Sequence, residues 1–220
     1  MNQEYLQYQQ IAQQSIVSLV ADLTYLPFTS FSIDYHSLVI LINDIVVNKR
    51  TSILEFGTGI STVVIANLLK KNGIKACFYS IEGDKSWCDT VNGWLVQNEL
   101  QDYVNLIYAP LEPIAAEQEF TTPWYNMVVL EETLGYQLFD MFIVDGPPAF
   151  NLELQYARYP ALFFIMDRQE ESYSLFLHDT DRQGEAVILQ NWEEELKLRS
   201  RQFTHKLSGF IVGSHFNITI

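Results

Sequence analysis

The chain has 220 residues, 48% hydrophobic and 14% aromatic, which supplies one large core and excludes a disordered chain. Thirteen basic residues stand against 27 acidic ones, giving a formal charge of −14. Such a field repels phosphate backbones and argues against nucleic acid as a partner. Two cysteines, Cys77 and Cys88, are too few for a disulfide framework. No apolar run approaches ~18 residues and no basic-then-apolar leader is visible, so the expectation is a cytoplasmic protein without a membrane partner.

Residues 1 to about 26 are glutamine-rich, with Leu6, Ile11, Ile16, Leu19, Val20 and Leu23 at amphipathic-helix spacing. Tyr5, Tyr8 and Tyr25 read as the buried face of that helix, through which an isologous homodimer is one option. Pro27 to Asp34 breaks the pattern, His36 reads as surface or loop, and a second helix is expected over Ser37–Val47. Residues 1–50 therefore read as a helical extension and 51–220 as the main domain.

From Ser52 onward, strand and helix signals alternate. Strands are expected over Ser52–Phe56, Ala76–Ile81, Tyr103–Tyr108, Phe139–Val144 and Tyr173–Leu177. Helices are expected over Ser61–Lys71, Lys85–Asn98, Asn151–Met166 and Gly184–Leu198. This alternation predicts an α/β fold with helices on both faces of a parallel sheet. Leu111 to Glu132, with Pro113, Pro123 and Trp124-Tyr125, reads as an irregular lid or substrate loop. Gln202–Leu207 and Gly209–Asn217 close the chain as an antiparallel hairpin.

The most informative segment runs from Ile53 to Thr62, where a strand, a glycine turn (Gly57-Thr58-Gly59) and the helix start Ser61-Thr62 follow in order. Such a turn lets backbone approach a nucleotide-like ligand. A dinucleotide fingerprint needs a third glycine at Thr62, and a phosphate-gripping loop needs a lysine; both are missing, which points to a ligand without a pyrophosphate. Glu55, Glu82, Asp145 and Asp179 fall at or near strand carboxyl ends, where open α/β sheets bind ligands.

Leu54-Glu55-Phe56-Gly57-Thr58-Gly59, Glu82 and the closing hairpin resemble the class I S-adenosylmethionine-dependent methyltransferases over roughly residues 37 to 217. The resemblance implies a Rossmann-like, doubly wound, mixed seven-stranded sheet with an antiparallel C-terminal hairpin, here with an N-terminal helical extension. It implies S-adenosylmethionine as cofactor, with Glu82 accepting both ribose hydroxyls through its two carboxylate oxygens. The other cofactor positions it implies are Glu55, Gly57, Thr58, Gly59, Ser61, Thr62, Gly83, Ala109, Pro110 and Asp145.

Asp145-Gly146-Pro147-Pro148, Arg158-Tyr159-Pro160-Ala161-Leu162 and His178-Asp179-Thr180-Asp181-Arg182 further resemble a set of small bacterial methyltransferases. The implied substrate is a small-molecule or sugar-like hydroxyl. For its proton, His178 is the natural general base, with Asp145 and Asp179 completing the catalytic set. Asp145 and Asp179 also match two acids that hold Mg²⁺ in catechol-type O-methyltransferases, although Thr180 replaces an asparagine ligand and no lysine follows Asp145.

Plainer readings stand beside these. Asp145-Gly146-Pro147 can be a strand-ending turn, and Asp179 and Asp181 can cap the following helix. Arg158 can bind an anion or pair with Glu153 or Glu185, and Trp87 reads as core packing. The same fold could also serve as a non-methylating adenosine-ligand binder acting as a partner subunit.

Overall fold

The computed structural model describes residues 3–115 and 121–220. Two helices, α1 (Gln3–Val20) and α2 (Tyr35–Val47), precede β1 (Ser52–Phe56), α3 (Ile60–Asn72), β2 (Cys77–Glu82), α4 (Lys85–Gln97) and β3 (Asn105–Tyr108). Then come β4 (Leu111–Ala115), β5 (Thr121–Tyr125), α5 (Met127–Leu134), β6 (Phe139–Val144), α6 (Ala161–Ile165), β7 (Gln169–Leu177), α7 (Gln183–Leu196), β8 (Arg201–Gln202) and β9 (Ser208–Val212).

Seven strands form one sheet in the order β3-β2-β1-β6-β7-β9-β8. The β1–β2, β2–β3, β1–β6 and β6–β7 pairs are parallel, whereas β9 runs antiparallel to β7 and β8. The expected doubly wound mixed sheet with its antiparallel C-terminal hairpin is what the chain forms. Alternation along β1 and β6 divides the core. Ile53, Met141 and Ile143 pack with residues of α1 to α4, while Leu54, Phe56, Phe142 and Val144 pack with residues of α5 to α7. Strand order reverses between β1 and β6, and the crevice beyond their carboxyl ends is where such sheets bind ligands.

Several expectations change. Residues 111–132 are not irregular throughout: β4 and β5 pair as an antiparallel hairpin and α5 follows, with residues 116–120 outside the described set. Trp124 and Tyr125 are core residues beside Phe56, because tightly packed aromatic rings removed from water outweigh local loop chemistry. The helix expected over Asn151–Met166 is confined to Ala161–Ile165, with turns before it. Pro160 disfavours helical geometry in the residue before it. The last hairpin turns through residues 203–207, where the Phe203 amide donates to the Leu207 carbonyl, and residues 213–217 add no strand.

The first helix ends at Val20, and Tyr25 is exposed rather than on its buried face. Tyr8 stacks on His36, which is itself buried, not surface, while Tyr5 meets His205 edge-on. Residues of α1 and α2 pack into the same core cluster as β1 and α3. Leu38, Ile40, Leu41 and Ile45 of α2 are fully buried, and Asp44 joins the buried Arg50 guanidinium at 2.9 Å and the Ser174 hydroxyl of β7 at 2.5 Å.

Candidate active site

A cavity of about 500 Å³ lies over the carboxyl ends of β1, β2, β6 and β7. One side is built from Gly57 to Ser61, Glu82, Asp84 and Trp87; the other from Pro27, Thr29, Phe31, Ser32 and Ile33 together with Pro148, Ala149 and Phe150. Asp145, Gly146, Arg158, Asp179, Arg182 and Tyr125 form the remaining wall. Residues from positions 27 to 182 thus share one concavity.

The glycine loop is fixed from behind. Glu55 is fully buried and accepts hydrogen bonds from the hydroxyls of Ser61 (2.5 Å), Thr62 (2.5 Å) and Ser80 (2.6 Å). The Thr62 hydroxyl in turn accepts from the Gly59 amide at 2.9 Å, tying the turn to the first residues of α3. Burial pushes the Glu55 carboxyl up to about 7, against the three hydroxyls that favour its charged form. Glu55 and Thr62 therefore stand behind the cavity wall, not on it, and act on the loop's shape.

At Gly57, φ is +94° and a Cβ would sit 2.6 Å from the Gly146 amide nitrogen. Only glycine satisfies both the backbone conformation and the contact between the β1 and β6 ends. Thr58 and Gly59 border the cavity, and no heavy atom lies within 4 Å of a Cβ placed on Gly59.

Glu82 ends β2 with its carboxylate in the cavity. Oε1 accepts from the amides of Gly83 and Asp84, both at 2.8 Å, and Oε2 from the Thr58 amide at 3.3 Å. Burial raises its pKa even though these amides favour the anion. The carboxylate is held in one orientation, with Oε1 filled by two amides and lone-pair capacity left on Oε2. Trp87 is half-exposed and borders the cavity, donating from its indole N–H to the Thr58 carbonyl at 2.8 Å, so it is not core packing. Gly83, Ala109 and Pro110 do not line the cavity. A Cβ on Gly83 would run into Leu111, and the Ala109 amide and Pro110 carbonyl bond to Glu82 and Asn126 backbone.

His178, Asp145 and Asp179 do meet. His178 Nδ1 lies 3.0 Å from Asp145 Oδ1, and Nε2 lies 3.2 Å from Asp34 Oδ2 at the N-terminus of α2. Burial disfavours charge on the ring, but Asp145, Asp34 and Asp179 outweigh it and carry the pKa up to about 10. His178 is thus an imidazolium at neutral pH with both N–H groups occupied, and has no lone pair with which to act as a general base. Burial lifts the Asp145 carboxyl, but the imidazolium and the Arg158 guanidinium hold it below the usual range.

Arg158 is 3% exposed and joins the ends of β6 and β7. Nε donates to the Pro147 carbonyl at 3.2 Å, Nη1 to the His178 carbonyl at 3.0 Å and Asp179 Oδ2 at 3.2 Å, and Nη2 to the Asp145 carbonyl at 2.8 Å. Its charge pairs with Asp145, Asp179 and Glu185, not Glu153. These bonds occupy four of its five N–H donors, and the remaining Nη2 donor faces Asp145 Oδ1 at 3.3 Å, so the group is committed to holding the two strand ends. Asp179 and Asp181 do not cap α7: its N-cap position is taken by Arg182, without a side-chain cap.

Asp145, His178 and Asp179 offer donor atoms within 4.8 Å of one another, the one such group among the described residues. They do not fit Mg²⁺. Protonated His178 offers no lone pair, Arg158 bridges both carboxylates, and Arg182 lies 3.0 Å from Asp179 Oδ2. The Thr180 hydroxyl is engaged with Ser208 at 2.9 Å. Guanidinium and imidazolium groups already supply the charge a divalent cation would bring, so the expectation of Asp145 and Asp179 as metal ligands is not supported by this geometry.

The contact of Asp34 with His178 and the cavity-side position of Trp87 are not foreseen from the sequence, and Tyr125 borders the cavity from a strand and not from the expected loop. Asp34, three residues before Ser37, carries a helix N-cap spacing, but nothing local indicates its distant imidazole. Among the described residues, no helix is long and apolar enough to cross a membrane.

No protein-family model and no curated protein matches the chain. Solved structures do. An O-methyltransferase from Bacillus cereus in complex with SAH is 14% identical, covering 94% of this chain and 91% of that one, with a TM-score of 0.53. The O-methyltransferase TomG from Streptomyces achromogenes, involved in tomaymycin synthesis and in complex with SAM, is 15% identical over 94% of this chain and 90% of that one, TM-score 0.54. A Staphylococcus aureus protein provisionally described as a caffeoyl-CoA O-methyltransferase is 13% identical over 96% and 100%, TM-score 0.61. At these identities the likeness establishes the fold: the chain has the Rossmann-like α/β architecture of those methyltransferases, over nearly its whole length.

Proposed function

We propose that this protein is an S-adenosylmethionine-dependent methyltransferase that methylates a hydroxyl of a small molecule. The observation that carries the reading is Glu82, a buried carboxylate oriented by three backbone amides at the edge of the cavity, one β-strand away from a glycine turn that lacks a pyrophosphate signature. The oriented carboxylate, with Oε2 open to a further donor, suits a ribose hydroxyl, and the cavity volume suits a nucleoside with a small acceptor. That two of the solved structures named above hold SAH or SAM supports the same donor.

Glu82 would hold the ribose, Trp87 would lie along the nucleoside, and the Gly57–Gly59 turn would carry the backbone close to the ligand. The donor supplies an electrophilic methyl group; the chain's own task is alignment, which can account for ~7–11 kcal/mol of barrier. Asp145 Oδ1 is taken by His178 and Arg158, whereas Oδ2 has no partner among the described residues and can accept the substrate hydroxyl. Held ionised, Asp145 is a weak base. It need take the proton only as the new carbon–oxygen bond forms and acidifies the hydroxyl. Asp179 and His178 position Asp145 rather than touch substrate. The facing wall of Pro27, Ile33, Pro148, Ala149 and Phe150 supports a largely apolar acceptor over a bare sugar.

A second reading, a non-methylating adenosine-ligand protein, is favoured by the engagement of both His178 ring nitrogens, which leaves that imidazole unable to serve as a base. Calorimetry with S-adenosylmethionine, S-adenosylhomocysteine and NAD tests the ligand: heat with NAD alone rejects both readings. Turnover separates them. Asp145→Asn is expected to retain donor binding and lose transfer; full activity in that variant would reject the catalytic assignment.

A further inference from the structure

Tyr125, the last residue of β5, is 1% exposed, its ring packed against Phe56 and Trp124 with centroids 5.7 and 4.9 Å apart. Its hydroxyl is not sealed in with the ring. The oxygen lies against Gly146, where a Cβ would sit 2.5 Å away, and the residue borders the cavity. No described residue makes a hydrogen bond with that hydroxyl, although a buried phenol ordinarily has a partner. Burial, then the nearby charge of Glu82, raises its pKa well above the usual value, so the group remains an O–H donor.

Its position relative to Glu82 decides which part of a ligand it meets. Glu82 ends β2 and Gly146 follows β6, with β1 between them, so two strand spacings of about 4.8 Å separate them. A nucleoside gripped by its ribose at Glu82, with its base toward Trp87, reaches Gly146 only with the substituent on its 5′ carbon. The wall's two cations, Arg158 and Arg182, are paired with Asp145, Asp179 and Glu185, whereas the Tyr125 hydroxyl is a donor without another duty that a ligand carboxylate can use.

We propose that the Tyr125 hydroxyl is a binding group for the aminoacyl end of the methyl donor, donating its hydrogen bond to the ligand's carboxylate across the notch kept open by Gly146. This rests on the methyltransferase reading above. Gly146 serves it by lacking a side chain, since any Cβ there would displace the hydroxyl.

The test is titration calorimetry of the wild type and Tyr125→Phe with two ligands. S-adenosylhomocysteine carries the aminoacyl tail; methylthioadenosine keeps the nucleoside and sulfur and lacks it. Phenylalanine preserves the aromatic packing, which a melting curve verifies. The variant is expected to bind S-adenosylhomocysteine about ten-fold more weakly, the loss of one hydrogen bond to a charged group, and methylthioadenosine as the wild type does. Unchanged affinity for S-adenosylhomocysteine overturns the proposal. So does an equal loss for both ligands, which would put the hydroxyl on the nucleoside. If neither ligand binds the wild type, the methyltransferase reading itself fails and this assignment falls with it.

Discussion

His178 at the end of β7 reaches back 144 residues to Asp34, the residue that caps α2, through a 3.2 Å contact between Nε2 and Oδ2. Asp34 also accepts from the Ser37 amide at 3.1 Å and from the Gln9 side chain of α1. The N-terminal segment is thereby fastened to the acids of the site, and its residues 27–33 form one wall of the cavity.

This latch makes stability depend on pH in a definite direction. The His178 pKa is raised in the folded protein, so its contribution is complete below the unfolded value of about 6.5 and lost as pH rises through about 10. Asp34→Asn removes a buried charged partner and is expected to cost about 1–3 kcal/mol at pH 7. The deficit should shrink by pH 10. Thermal melts of both proteins at the two pH values test this; a deficit that grows with pH contradicts the latch.

Glu55 has the opposite sense. Its folded pKa, near 7, lies above the ordinary carboxylate value, so ionising it on going from pH 5 to 8 weakens the fold. A displacement of this size is on the order of 3 kcal/mol. Glu55→Gln is expected to gain on the wild type in melting temperature across that range. Parallel curves would mean that the three hydroxyls stabilise the anion fully.

Gly57→Val is expected to abolish donor binding and to destabilise the protein by several kcal/mol, about 3 or more, because both the positive φ and the Gly146 contact forbid a side chain. Calorimetry with S-adenosylhomocysteine and a melt measure the two effects. Gly59→Ala, with open space at its Cβ, should keep its stability and so separates loop shape from fold.

The carboxylate centre should not take a metal. Mn²⁺ added to the protein is expected to keep the electron spin resonance signal of the free ion, and turnover is expected to be unchanged in excess EDTA. Stoichiometric loss of that signal would mean that Arg158 gives way to a cation. Arg158→Met leaves Asp145, Asp179 and Glu185 without their shared partner and should cost about 3–5 kcal/mol in denaturant unfolding.

Much of the order of strands and helices, the glycine turn and the acid at Glu82 are legible in the sequence because each rests on local chemistry: short apolar runs buried on both faces of the sheet, a turn that excludes side chains, and a strand that ends in a carboxylate. The same local logic fails at Asn151–Met166, where an apolar helical pattern yields one short helix, and at Trp124-Tyr125, where prolines suggest a loop but aromatic packing makes core.

The roles of the charged residues were decided by the tertiary structure alone. His178 looks like a base when read beside Asp179, and becomes a fixed cation once Asp145 and Asp34 close on its two ring nitrogens. Arg158 shows no sign in sequence of bridging two strand ends. A proton affinity depends on which charges lie within a few ångströms and how much water is excluded, and neither quantity is encoded by neighbours along the chain. Patterning over a few residues determined where the crevice opens; contacts between separate elements, from Arg158 with its neighbouring strand ends to His178 with Asp34 144 positions away, determined which groups inside it remain free to act.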